Sequence, residues 1–193
     1  MSDNQTVFTA LYEHGLLLMQ DKRLRSVSGI LAGEPVSGSW WSHAKAQEIY
    51  ACLGWLSDHP DVLVCRLVGG KVTFLHRRLW TAFLAVAGSG EDWQEDGLSP
   101  DARTLLHAVL EGSPLRTRGE AARELQRRLL VHAEEIHTEA GRHEVALQPW
   151  TAWAEGRGVT AACRPDDGRA ALEGALAAIG GKPDLLPWHP GAR

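Results

Sequence analysis

The sequence predicts an α+β fold, and three observations carry that prediction. Two β-rich runs, Val62 to Val68 and Lys71 to His76, flank a Gly69-Gly70 pair. A second pair of strand-like runs, Leu130 to Thr138 and His143 to Gln148, meets at Glu139-Ala-Gly-Arg142. Helical periodicity accounts for most of what lies before, between and after them. The composition agrees: 193 residues, 44% apolar and 23% charged, describe a globular chain of one large domain or two small modules.

The elements follow in order. Gln5 to Gln20 reads as a helix, with Phe8, Leu11, Tyr12 and Met19 near one face; Gly15 inside it costs about 1 kcal/mol relative to Ala. Asp21-Lys-Arg-Leu-Arg25 is a polar break, Val27 to Leu31 a short apolar piece, and Gly33 to Ser39 a loop by composition. Trp40 to Asp58 is helical again, with Ile49, Cys52, Leu53 and Leu56 inward, and it ends before Pro60 because proline pushes its predecessor out of the α region. The Gly69-Gly70 hairpin is the clearest local signal, since glycine supplies the positive φ of tight hairpin turns. Arg77 to Ala87 is a short helix bearing Leu79, Phe83, Leu84 and Val86.

Gly88-Ser-Gly-Glu-Asp-Trp-Gln-Glu-Asp-Gly97 is glycine-rich and acidic, and it reads as a linker. Beyond it, Ser99 is an N-cap, Pro100 occupies the first helical position and Asp101 complements the dipole. Leu105, Leu106, Val109 and Leu110 form that helix's buried stripe, and Gly112 ends it. Thr117-Arg-Gly-Glu120 matches a capping box for a further helix, with Ala121, Ala122, Leu125 and Leu129 on its inner side. Helix, turn, helix and hairpin in that order outline a winged helix-turn-helix. Only about seventeen residues separate Gly112 from Leu130, so one of the two helices is expected to shrink to a turn. A helix start at Trp150 and Trp153, a final helix from about Asp166 to Ile179, and a loosely packed Gly- and Pro-rich tail complete the reading. The expected domains are residues 1–88, a helical region with a hairpin; 98–155, winged-helix-like; and 156–193, a C-terminal helix and tail.

Bulk properties bound the function. The formal charge of −4 confines any nucleic-acid contact to a local patch. No apolar run approaches a membrane span, and Met1-Ser-Asp-Asn-Gln lacks the features of a signal peptide. Cys52, Cys65 and Cys163 fit neither a disulfide framework nor a zinc site, so a reduced, cytoplasmic setting is expected. Without a Walker loop, a dinucleotide fingerprint or a nucleophile elbow, no cofactor and no catalytic residue are implied.

The strongest functional signal is Arg116, Arg118, Arg123, Arg127 and Arg128: five guanidinium groups within thirteen residues, against Glu120 and Glu124. Arginine's planar fork donates paired hydrogen bonds to phosphate and keeps its charge. The competing explanation is a solvated helix face whose arginines pair with those two glutamates. A second basic group, Arg66, Lys71, His76, Arg77 and Arg78, suits phosphate less well than an ion-paired surface, with the acidic residues at 91–96 as its expected partners. Arg66 shares a strand face with Val64 and Val68, which suggests an edge position with a buried stem. His132, Glu134, Glu135, His137 and His143 lack metal-site spacing and read as a polar wing. Of Trp40 and Trp41, at least one is expected to pack, leaving the other to line a groove.

Gly38-Ser-Trp-Trp-Ser-His43, Gly70-Lys-Val-Thr-Phe74, His76-Arg-Arg-Leu-Trp80 and Thr117 to Val131 together resemble a bacterial family similar to the winged-helix part of AlkZ-like DNA glycosylases. The resemblance covers about residues 24–155 and rests on texture and order. It implies a role on duplex DNA, in repair or transcription regulation; the arginines then offer the phosphate contacts, Arg116, Arg118, Arg123, Arg127, Arg128, Arg77 and Arg78, with the Glu139–Arg142 turn, Arg142 included, reaching an adjacent groove. Those glycosylases are longer and carry a catalytic Gln-x-Gln or Gln-x-Asp with an apolar middle residue. Here Gln94-Glu95-Asp96 has an acidic middle residue, which points to a binding module without catalysis. The alternatives are a small glycosylase with a pocket at Trp40, Trp41 and His43, and a protein-interaction module in which a homodimer buries the arginine helix.

Overall fold

The computed structural model describes residues 2–112, 115–137 and 143–189. It is an α+β protein with two small antiparallel sheets, and it divides into two compact units. The first comprises Met1–Trp80 with Arg169–Arg193, and the second Thr81–Gly168. The glycine-rich stretch at 88–97 therefore falls inside the second unit.

In the first unit, α1 (Asp3–His14) is capped by the Ser2 hydroxyl, which accepts from Gln5 N. The helix expected to reach Gln20 ends six residues earlier. Gly15 takes the left-handed conformation at φ 86° and closes the helix with its N–H on the Leu11 carbonyl. A Cβ there would come within 2.7 Å of Leu79, so backbone and packing both favour glycine. The released residues form β1 (Leu16–Leu18), all three buried. This strand pairs with β3 (Lys71–His76), which also pairs with β2 (Val62–Val68), giving the order β1-β3-β2.

The Gly69-Gly70 hairpin forms as expected, with φ of 56° and 67°. Its register shifts between Cys65 and Val68, and the Thr73 hydroxyl satisfies the irregularity by accepting from Val68 N and donating to the Lys71 carbonyl. Arg66 is half-buried on the edge strand β2, with Nη1 donating to the Gly70 carbonyl.

Around this sheet lie α2 (Val27–Ala32) and α3 (Ala46–Asp58). The helix expected to begin at Trp40 is interrupted: Trp40–Ser42 form a single 3-10 turn, and α3 starts only at Ala46. Its inward residues Ile49, Cys52, Leu53 and Leu56 are those the periodicity marks. A 3-10 turn at Arg77–Leu79 leads into α4 (Trp80–Ala87), whose first residue ends this unit's leading segment.

The expectation of a loose tail fails through residue 189. Leu186 is fully buried, Leu185 accepts a backbone bond from Gly69 N, and Glu173 binds the indole of Trp188 and the ring of His189. The apolar leucines of Asp184-Leu-Leu-Pro187 outweigh the loop-forming residues around them.

The second unit contains most of α4, then α5 (Asp92–Glu95), α6 (Pro100–Glu111), β4 (Leu115–Thr117), α7 (Glu120–Arg127), β5 (His132–His137), β6 (His143–Gln148) and α8 (Trp150–Arg157). The chain enters α9 (Pro165–Ala178) here and leaves the unit within it. Gly168 fits α9 so closely to α4 that a Cβ would stand 2.5 Å from the Ala82 carbonyl oxygen. β4 is an addition to the expected hairpin and makes a sheet in the order β4-β6-β5. Leu98, Ala102, Leu106, Val109, Ala122, Leu125, Val131 and Leu147 form one core. Leu110, expected in the α6 stripe, is instead 59% exposed, because Ala102, Leu106 and Val109 fill the inner face.

One polar residue organises the first unit's polar break. Asp21 is buried, and its carboxylate accepts from Arg23 N at 2.7 Å, Leu24 N at 2.9 Å and Lys71 Nζ at 2.6 Å. Burial works against its charge, but Lys71 and the two amides outweigh it and hold the carboxyl below its ordinary range. Its contribution is complete above the ordinary carboxyl value near 3.8 and is lost as pH falls through the depressed one. Asp21→Asn is expected to cost about 1–3 kcal/mol, read as a lower urea midpoint at neutral pH with unchanged slope.

Candidate nucleic-acid interface

The arginine-rich segment of the second unit runs through β4 and α7. Arg116 lies in β4 opposite Ala146 of β6, and both Arg116 and Arg118 are exposed. The expected capping box at Thr117 does not form, because Thr117 is committed to the β4–β6 ladder opposite Val145. Gly119 takes the N-cap position instead, at φ 114°, a conformation that disfavours any side chain.

The apolar residues Ala122 and Leu125 pin α7 to the core, with Ala121 packed beside them and Leu129 buried just past the helix. Glu120, Arg123 and Arg127 consequently line its outer face. Glu120 receives both arginines: Arg127 hydrogen-bonds one of its oxygens, and Arg123 Nη1 lies 3.5 Å from the other. Arg127 first, then Arg123, holds the Glu120 carboxyl below its usual range. Among the described residues, Arg116 and Arg118 form no ion pair.

Arg128 does not belong to this face. Its Nη1 donates to the Trp93 carbonyl at 2.7 Å, and its Nε stands 4.0 Å from Glu124. Glu124 is itself bound to Ser99, accepting from its N at 3.1 Å and its hydroxyl at 2.7 Å, so it holds the start of α6. The cause is local: α7 ends at Arg127, Leu129 turns left-handed at φ 54°, and the intervening Arg128 is directed inward. Leu129's carbonyl then accepts the Trp150 indole N–H at 2.8 Å.

Gln94 is equally committed. It is buried, accepts from Ser89 Oγ and Glu91 N, and donates to the carbonyls of Ala87 and Arg128. The linker expected at 88–97 is thus interrupted by a short helix fastened by this one amide. A glutamine so used has no capacity left to bind a reacting water. The sequence signal was Gln94 three residues after Glu91, the spacing at which a side chain reaches back to a helix's first amide.

Arg77 and Arg78 belong to the first unit. Arg77 pairs with Asp61 at 3.0 Å and lies over the Trp80 ring at 5.9 Å. Arg78 donates to the Glu13 carbonyl at 3.0 Å, where a cation complements the end of α1. Trp40 is buried, and Trp41, 59% exposed, stacks on it at 4.0 Å between ring centroids, with Tyr50 at 5.3 Å. His43 Nδ1 accepts from Lys45 N. Two open cavities of the first unit, about 540 and 780 Å³, are lined by other residues than these three. Arg142 and the rest of the turn at 139–142 lie outside the described residues.

His132 is buried between Trp150 and Trp153, with Nδ1 3.1 Å from Gln148 Nε2. Among the described residues no three His, Cys, Asp or Glu side chains gather as a metal site would require. Burial raises the Cys52 thiol to about 11 and Cys65 to about 12, so both stay protonated near neutrality. No helix of the described residues is long and apolar enough to cross a membrane. Compared with protein-family models, curated proteins and solved structures, the chain finds no match in any of the three.

Two outcomes follow for the second unit. Burial first, then Arg157, lowers His132 to about 4 from the ordinary 6.5, so the folded form resists protonation. Stability is expected to be insensitive to His132 above pH 6.5 and to fall between 6.5 and 4, by about 3 kcal/mol in all. His132→Phe flattens that part of a urea-midpoint profile. Arg128→Ala is expected to lower the melting temperature, whereas Arg123→Ala leaves it nearly unchanged, as differential scanning fluorimetry can establish.

Proposed function

We propose that the second unit is a winged-helix-like DNA-binding module without catalysis of its own, serving DNA repair or transcription regulation. The order α6, β4, α7, β5, β6 supports this reading, with one helix where a standard winged helix places two. The observation that carries it is the outward set on β4 and α7. Arg116, Arg118, Arg123 and Arg127 are all exposed there, and the one exposed carboxylate of that segment, Glu120, can neutralise only part of their charge.

In this reading the guanidinium groups hold phosphates and set the register of α7 on the duplex. Glu120 is a built-in competitor, because its carboxylate must release Arg123 and Arg127 before they can bind phosphate. Arg128 supports α7 from behind and touches no DNA. Base excision is no part of the proposal, since the Gln94 side chain is fully occupied.

The test is fluorescence anisotropy with a short labelled duplex across a salt series. Four phosphate contacts give a slope of about −3 to −4 in log affinity against log salt. Arg116→Ala with Arg118→Ala is expected to weaken binding and flatten the slope by about 2. Glu120→Gln is expected to strengthen binding by releasing two arginines. Absent or salt-insensitive binding at low ionic strength would overturn the proposal, as would sedimentation showing a homodimer that buries α7.

A further inference from the structure

The first unit carries an open groove of about 780 Å³ beside the hairpin turn. Three stretches of chain wall it: the polar break through Gln20 and Lys22, the loop at Gly38, and the hairpin through Arg66, Gly70 and Lys71. We propose that this groove binds a small phosphorylated molecule.

Charge is the first argument. Lys22, Arg66 and Lys71 line the groove against a single carboxylate, Asp21. That carboxylate is buried and already accepts two backbone amides and the Lys71 ammonium. The lining therefore carries three cations against one carboxylate, and that carboxylate is already occupied. Arginine supplies a planar fork and the two lysines supply point charges, a combination suited to the several oxygens of a phosphate.

Rigidity is the second argument. Lys71 Nζ is fixed at 2.6 Å from Asp21, and Arg66 Nη1 at 3.1 Å from the Gly70 carbonyl. The Gln20 amide donates to the carbonyls of Val36 and Gly38, which ties the loop wall to the polar break. Much of the ordering cost of binding is thereby met before a ligand arrives. Gly38 and Gly70, at φ 79° and 67°, expose bare backbone where a ligand can approach closely. Size is the third argument: the groove falls within the roughly 300–1,000 Å³ of small-molecule sites.

The experiment titrates the whole chain with inorganic pyrophosphate and follows backbone amide resonances by NMR. Saturable shifts are expected at residues 19–22, 36–38 and 66–72. Lys22→Gln is expected to weaken binding about tenfold, and Arg66→Gln at least as much. Lys22 is exposed and bonds to nothing among the described residues, so its variant keeps the fold even where Arg66→Gln disturbs the hairpin. No saturation in the millimolar range would overturn the proposal. So would shifts confined to β4 and α7, or a short oligonucleotide that occupies the groove more tightly than pyrophosphate.

Discussion

Everything in the second unit turns on how α7 ends. Leu129 adopts a left-handed conformation that costs a non-glycine residue about 1 kcal/mol or more. Its neighbours repay that strain. Trp150 donates to its carbonyl, Gln94 donates to the Arg128 carbonyl, and the Arg128 guanidinium reaches Trp93. Glu124, one turn earlier, fastens the start of α6 through Ser99. The bend therefore joins α5, α6, α7 and α8 through polar contacts whose members are mostly sheltered from water, where each bond is worth more than on the surface.

The same bend sorts the arginines. Five of them within thirteen residues look equivalent in a sequence, yet the backbone gives them different work. Arg128 is structural because it follows the helix's last turn, whereas Arg123 and Arg127 face outward because the apolar stripe of α7 faces in. The exposed pairs with Glu120 are cheap to break, since exposed ion pairs are worth only about 0–1 kcal/mol. Glu120 thus tunes the surface charge without locking it.

Much of this architecture was legible in the residues, and the failures share a cause. The Gly69-Gly70 hairpin, the Ser99 cap, the inward face of α3 and the indoles at 150 and 153 all follow from local chemistry. What went unseen depended on partners distant in sequence. Leu16–Leu18 continue a helical pattern until β3 is present to pair with them. Thr117 looks like a cap until β6 claims it, and 88–97 looks like a linker until the Gln94 amide finds Arg128 thirty-four residues away. At the candidate site, the arginine cluster was visible in composition, but only the backbone path decides which members reach solvent. The groove's cations come from residues 22, 66 and 71, too far apart to be read as one set.

The first unit is discontinuous along the chain, and this bears on its birth at the ribosome. Its leading segment is made before the second unit, yet α9's buried Leu172 and Leu176, and the Leu185 carbonyl that accepts from Gly69 N, are made after it. Domains usually complete themselves in the order of translation. Here the later-made stretch at 81–168 emerges whole while its elder neighbour still waits for its closing helix. Leu172, Leu176 and Leu186 find their buried places only once that later stretch is complete, so the first unit closes after the second has been made.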